Sequence, residues 1–366
     1  VYGEMKRMET AAQATQTVHG SIQLISQKPK LSVPQQIEHM KAQGIRFSVM
    51  TEEDAAKYLE INTYYFKIKA YAKLYEKYTD KADPDRYGKY IDLDFAYLRD
   101  LATIDSYLRK HIFQITLDIE HYLKAALLRD FNRSNEDGYG IVKDFIARNP
   151  EHYEREFSQK RFGKACSNMV QKYDGQFSLW NIIEVLNFGD FQELYKFFYM
   201  RNGTSLYPTN KKLQSGPFSY LINPVRILRN AAAHNNCLLN SLKTPYIAPD
   251  EFNRNPEVSA FLGSHGIKNR TLNTNMNKPL VHDFCVMLFL YHSVTPASAQ
   301  KHMFSELRCL FCDRFTRYKE YYQNKNTTLL SAYEFIVKVI NMYCGLLDIP
   351  GLIECREAPA RNCTKS

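Results

Sequence analysis

Apolar residues along this chain recur at intervals of three and four, and few segments alternate with period two. That spacing turns one face of a helix inward, whereas a half-buried strand needs alternation. The clearest stripe is Leu98, Leu101, Ile104, Leu108, Ile112, Ile115, Ile119, Tyr122 and Leu123, inside a periodic segment from Leu93 to Phe131. A helix of about 35 residues would be about 50 Å long, so a break or bend within it is expected. Upstream, helical signals run from Val33 to Lys41 and stop at Gly44. Thr51 with Asp54 has the form of a capping box and opens a second short helix through Leu59. In EINTYYFKIKAYAKLYEKY, Tyr64, Ile68, Tyr71, Tyr75 and Tyr78 share one helical face, with Lys67, Lys73 and Lys77 on the others.

Downstream, the same reasoning predicts helices over Tyr153 to Tyr173, Trp180 to Asn187, Phe191 to Met200 and Phe218 to Ala233. Thr244 to Pro279, rich in Asn, Pro and Ser, reads as an irregular connection with one short helix at Pro256 to Leu262. Three helical stretches follow, near Val281 to His292, Ala297 to Gln323 and Leu329 to Leu347. The fold class is therefore all-α. The chain divides into a polar, flexible N-terminus (1–27), an N-terminal helical subdomain (28–90), a central helical domain (91–243), an irregular connection (244–280), C-terminal helices (281–350) and a polar tail (351–366).

Composition narrows the class. With 366 residues, 45% of them hydrophobic and 24% charged, the chain has the composition of a globular protein, which excludes collagen, coiled-coil rods and wholesale disorder. Its apolar run Phe284 to Tyr291 is far shorter than a membrane span needs, so no membrane association is expected. The first residues show no apolar signal region, and eight scattered Cys suit reduced thiols, so the expected location is the cytoplasm. A net charge of +9 nominates a polyanionic partner. A mildly basic soluble protein with no such partner fits the charge equally well.

Candidate chemistry is sparse. There is no Gly-rich phosphate loop and no His-Glu-x-x-His helix, which argues against nucleotide-driven or zinc-protease chemistry. Cys309 and Cys312, with His292 or His302, could supply zinc ligands, but buried Cys at helical spacing is the commoner pattern. The expectation is no metal and no cofactor. VRILRNAAAHNN, residues 225–236, is different. A His near neutral pKa can take the proton of a ribose 2′-OH or protonate the 5′ leaving oxygen. A guanidinium can hold the non-bridging oxygens as the phosphorane develops. An Asn can keep imidazole or phosphate in register. Arg229, Asn230 and His234 are thus candidate catalytic residues for metal-independent RNA cleavage. The spacing alone is common, since a composition like this supplies about one or two such pairs by chance. Five residues along a regular helix also rotate a side chain by about 140°, so the pair shares a site only if the helix ends or distorts at AAAHNN, or if a second copy faces it. The alternative is an exposed Arg and a satisfied His at a helix end.

Other residues carry paired readings. Arg226, Lys211, Lys212, Lys67, Lys73 and Tyr71 could bind phosphates and stack bases, or be a solvated face and a core Tyr. Trp180 and Glu184, one turn apart, read as a core Trp with a structural ion pair, the alternative being that Glu184 assists catalysis or binds Arg229. Gly189 reads as a helix C-cap, with Asp190 capping the next helix. His111 and His121 interrupt the long stripe as partly exposed or satisfied histidines. The short helices at 33–59 have no basic recognition helix, so DNA is not an expected partner.

Five blocks together resemble the Abi-like family of abortive-infection proteins, of the AbiD and AbiF type. They are KPKLSVPQQIEHMKAQGI, AAKYLEINTYYFKIKAY, the long segment DLDFAYLRDLATIDSYLRKHIFQITLDIEHYLKAALL, LWNIIEVLNFGDFQELYKFF and NPVRILRNAAAHNN, spanning Lys28 to Leu239. The resemblance implies a HEPN-type helical bundle with an N-terminal helical extension and additional C-terminal helices. It also implies an endoribonuclease acting in phage defence, with Arg229, Asn230 and His234 as active-site residues at an interface between two chains. RNA is the implied substrate, a second copy the implied partner, and an RNA or protein antitoxin a further one. The competing function is a non-catalytic RNA-binding or protein-interaction module on the same fold.

Overall fold

A computed structural model describes residues 29–162, 165–173, 175–242, 254–323 and 325–350. The expected flexible N-terminus (1–27), the tail (351–366) and the start of the connection, residues 244–253, lie outside the described residues. Among the described residues there are fifteen α-helices and no strands, so the fold is all-α. They are α1 (Val33–Ala42), α2 (Glu52–Ile61), α3 (Tyr65–Ala72), α4 (Phe95–Phe131), α5 (Gly140–Ile146), α6 (Pro150–Lys160), α7 (Ser167–Tyr173), α8 (Leu179–Val185), α9 (Phe188–Leu206), α10 (Ser219–Ala233), α11 (Pro256–Ser264), α12 (Asn269–Asn275), α13 (Pro279–Val294), α14 (Ala297–Cys309) and α15 (Thr327–Leu346).

The long stripe does form α4, and it does so without a break over 37 residues. Leu98, Leu101, Leu108, Ile112, Ile115, Ile119 and Leu123 are all buried along it. Asp94 caps its first turn through the amide of Ala96. The predicted Tyr-rich helix is shorter than its periodicity suggested: α3 ends at Ala72, and Lys77 then pairs with Tyr90 in an isolated bridge. Of that face Ile68, Tyr71 and Tyr75 are enclosed, whereas Tyr64 is exposed and Tyr78 half-buried. The span 153–173 is two helices, α6 and α7, preceded by α5, whose start Asp137 caps by accepting from the amides of Tyr139 and Gly140. The stretch expected to be irregular holds a second helix, α12, besides α11. Its polar sequence hides that helix, which is anchored from the side: Asn275 is buried and accepts hydrogen bonds from Ser331 (3.2 Å) and Lys278 (3.2 Å).

Two supporting residues sit differently from expectation. Trp180 is not a core residue but 44% exposed, resting beside Phe131 and Tyr139. Gly138, with φ +84°, leaves the room for that indole, since a methyl there would strike its ring. Gly189 lies inside α9 rather than capping a helix; Asn187 is the cap, accepting from the Asp190 amide at 3.0 Å.

The C-terminal helices complete the central core. α13 is buried on nearly every side and packs directly against α10 and α4, and the buried side chains form one continuous cluster from Ile37 to Leu347. α10 lies among α4, α9 and α13, presenting Leu221, Ile222, Val225, Leu228 and Ala232 inward. Among the described residues α15 is long and apolar enough to cross a membrane by length and composition. Its buried residues Ala332, Phe335, Ile336, Val339, Ile340, Tyr343 and Cys344 follow a three-and-four stripe packed on α12, α13 and α14, the pattern of a core helix.

The connection from α9 to α10 depends on one close approach. Gly203 on α9 is buried against the 3-10 turn Leu213–Ser215, and a methyl there would overlap the carbonyl of Gln214. Gly203→Ala should therefore lower stability by about 1–3 kcal/mol, the usual cost of overpacking, as read from the denaturant midpoint. An unchanged midpoint would show that the turn yields freely.

Candidate functional site

The segment around His234 is built by the way α10 ends. His234 is the C-cap, and its amide donates to the Asn230 carbonyl at 2.9 Å. Asn235 then takes a left-handed conformation, φ +59°. Its amide reaches the Ala232 carbonyl (3.1 Å) and that of Asn236 reaches Ala231 (2.9 Å). This double return is a Schellman motif with Asn, the best non-glycine residue for the left-handed position, at its turn. AAAHNN thus terminates the helix, one of the conditions under which Arg229 and His234 can address one site.

Asn223, Ile227, Asn230 and His234 follow each other at intervals of three and four on the outward side of α10. His234 is exposed. Among the described residues no side chain holds its imidazole. Arg229 flanks that row, half-buried, with its guanidinium over the Phe113 ring at 5.8 Å and Nη1 donating to Asn230 Oδ1 at 3.2 Å. The bond to Asn230 draws Arg229 toward the His234 side of the helix. Arg229 Nε has no partner in the structure, and no described carboxylate pairs with this guanidinium. One turn earlier, Arg226 donates to Asn223 at 2.7 Å and passes Gly189, where a methyl would stand 3.7 Å from its Cδ.

The other candidates divide. Tyr71 is 0% exposed and its hydroxyl is spent on Asp105 (2.7 Å), so it offers no ring to a base. Lys67 is 7% exposed and donates to the Asn235 carbonyl at 3.0 Å, so it is no surface phosphate contact either. Their assignment to an RNA-binding surface is corrected on burial alone. Lys73 and Lys211 are exposed, whereas Lys212 pairs with Glu257 at the start of α11. Glu184 is exposed and, among the described residues, forms no ion pair, so the expected pairing is absent there. His111 donates through Nδ1 to the Tyr107 carbonyl (2.9 Å), and exposed His121 lies against Tyr122. Cys309 and Cys312 straddle the start of a π-turn, Leu310–Arg314, and are half-buried.

Sequence reasoning missed what lies beneath the motif. Asp105, 0% exposed, accepts from the amides of Leu238 and Leu239 (3.1 Å each), from Tyr71 and from Arg109. Arg109, also buried, donates to the Asn236 carbonyl at 3.2 Å. Burial pushes the Asp105 carboxyl up, and the Arg109 guanidinium opposes that push. Burial, with Arg109 nearby, pulls the Lys67 ammonium down, and burial also pushes the Cys237 thiol up. A signal was present in the sequence: Asp105 falls in phase with Leu101, Leu108 and Ile112, a charge inside an apolar stripe, with Arg109 four residues on.

These features define a helical protein with an exposed His and a half-buried Asn and Arg at a helix end, seated on a buried polar cluster. The sequence model of the Abi-like protein family matches residues 57–240, half of the chain, and the chain belongs to that family. The match ends just after the motif, and the helices from α11 onward lie beyond it. No curated protein and no solved structure matches the chain.

Proposed function

We propose that this Abi-like protein is a metal-independent endoribonuclease of the HEPN type that acts in abortive-infection phage defence, with Arg229, Asn230 and His234 as its catalytic residues. The observation that carries the reading is the helix end itself: an exposed His, an Asn one turn before it, and an Arg held to that Asn with no carboxylate partner among the described residues. An Arg left without a carboxylate suits a ligand phosphate, which its planar donors bind strongly. In the proposed reaction the 2′-OH of a ribose loses its proton to a base and attacks the adjacent phosphorus. The 5′-oxygen leaves with a proton, giving a 2′,3′-cyclic phosphate and a 5′-OH. His234 moves the proton, Arg229 neutralises the phosphorane, and Asn230 keeps the two in register.

A single chain supplies one such set, so the active form is proposed to be a homodimer that brings two sets to one cleft. Ile227, on the outward row of α10 with Asn230 and His234, is exposed, as are Tyr220 at the start of α10 and Tyr107 and Leu117 on α4, and these offer apolar area for the second copy. Arg226, Lys73 and Lys211 would extend the phosphate-binding surface. An RNA or protein antitoxin and a cytoplasmic location complete the proposal. The test is incubation of the purified protein with total RNA at neutral pH in EDTA, followed by end mapping. Cyclic phosphate and 5′-OH ends are expected; intact RNA, or cleavage that needs added metal, would reject the reading.

A further inference from the structure

Four side chains under the His234 turn come from two helices far away in sequence: Lys67 and Tyr71 from α3, Asp105 and Arg109 from α4. Each is at most 7% exposed. Between them they take the carbonyls of Asn235 and Asn236 and the amides of Leu238 and Leu239. Cys237 adds a contact of its thiol with the Lys67 carbonyl at 3.8 Å. Every residue from Asn235 to Leu239 is therefore tied to this cluster, while the His234 imidazole, one residue earlier, has no side-chain partner among the described residues. Its position is set by the backbone that the cluster pins.

The cluster holds two cations and one anion away from water, which is costly unless each charge is matched. The excess positive charge sits beneath a helix C-terminus, where the unsatisfied carbonyls carry partial negative charge. An apolar core could bury the same volume without that cost but could not grip two carbonyls. The arrangement makes sense as a device that fixes the turn.

We propose that this buried cluster is the positioning framework of His234, with Lys67 the residue that fixes the turn through the Asn235 carbonyl. Lys67, Asp105, Arg109 and Tyr71 are positioning residues that do not touch substrate. The inference rests on the catalytic reading of His234 for its effect on cleavage, but not for its effect on the turn.

The deciding experiment compares the full-length protein with Lys67→Met by amide hydrogen exchange and by RNA cleavage. Lys57→Met, an exposed lysine on α2, is the control. Exchange at Asn236 to Leu239 should quicken about tenfold or more in Lys67→Met while α13 amides keep their rates, because only the local grip is lost. Cleavage should fall about tenfold to a hundredfold in kcat with KM unchanged, as expected when a reacting group is displaced without losing a substrate contact. Lys67→Arg, which keeps a donor, should restore much of both. Unchanged exchange in folded Lys67→Met overturns the proposal. So does a loss confined to KM, which would make Lys67 an RNA contact. If Lys67→Met does not fold, Tyr71→Phe, which removes one hydrogen bond to Asp105, should show a smaller rise in exchange at the same amides; no rise overturns the proposal. Faster exchange in a protein whose His234→Ala variant still cuts RNA would leave the framework standing and reject the catalytic reading alone.

Discussion

His234→Ala should reduce metal-free RNA cleavage by about two to four orders of magnitude, the usual contribution of a positioned proton-transfer group. The variant should unfold at the same denaturant concentration as the parent, because His234 is exposed and follows the last helical residue. Arg229→Ala should cost about 10²- to 10³-fold, comparable to losing one donor to a developing oxyanion. It should also cost a little stability, since Arg229 packs on Phe113. Arg229→Lys should recover less than charge alone would suggest, because an ammonium cannot present the guanidinium fork. Asn230→Ala should fall between these and the parent, through the lost hydrogen bond that holds Arg229. The measurement is initial rate on a defined single-stranded RNA in EDTA, with dimerisation checked by sedimentation. If His234→Ala and Arg229→Ala both cut like the parent, the active-site assignment is wrong and the inert module on the same fold is the better description.

Asp105→Ala should be the most destabilising single change near the site, by about 3–5 kcal/mol, because it leaves the buried Arg109 without its counter-charge. It also strips the amides of Leu238 and Leu239 and the hydroxyl of Tyr71 of their acceptor. Asp105→Asn should lose less, since its Oδ1 can still accept from both amides while the charge on Arg109 goes unmatched. A double variant with Arg109→Leu should recover part of the loss, because removing both charges removes the penalty of an unpaired one. Equilibrium denaturation of the parent, Asp105→Ala, Arg109→Leu and the double variant closes the cycle. A loss below about 1 kcal/mol in Asp105→Ala would mean that Arg109 finds water or another acceptor.

Much of the fold could be read from spacing because helices that bury one face must repeat their apolar residues every three or four positions. α4 and α10 show this directly, and the end of α10 was written in AAAHNN, where small residues give way to an Asn pair that tolerates a left-handed turn. Spacing cannot separate a tyrosine on a core face from a tyrosine on a binding face, nor tell which lysine points inward. Tyr71 and Lys67 were therefore legible as helical, but spacing left a binding role open for both until burial decided against it. α12 escaped for the opposite reason: NRTLNTN has weak helical preference, and contacts with α15 and Lys278 override it. The role of the C-terminal helices was not legible either, since α13 announces a buried helix but not that its neighbours are α10 and α4.

The bonds under the turn also govern when the site comes into being. Lys67 meets Asn235 across 168 positions, Arg109 meets Asn236 across 127, and Asp105 meets Leu239 across 134. Contacts of such separation form late, after the chain between them has closed its loop, and they slow folding. A chain emerging from the ribosome carries α3 and α4 long before it carries His234, and α13, which walls α10, later still. A protein proposed to cut RNA is thus assembled so that its reactive turn can be held in place only after synthesis has passed Leu239, 134 positions beyond the Asp105 that grips it.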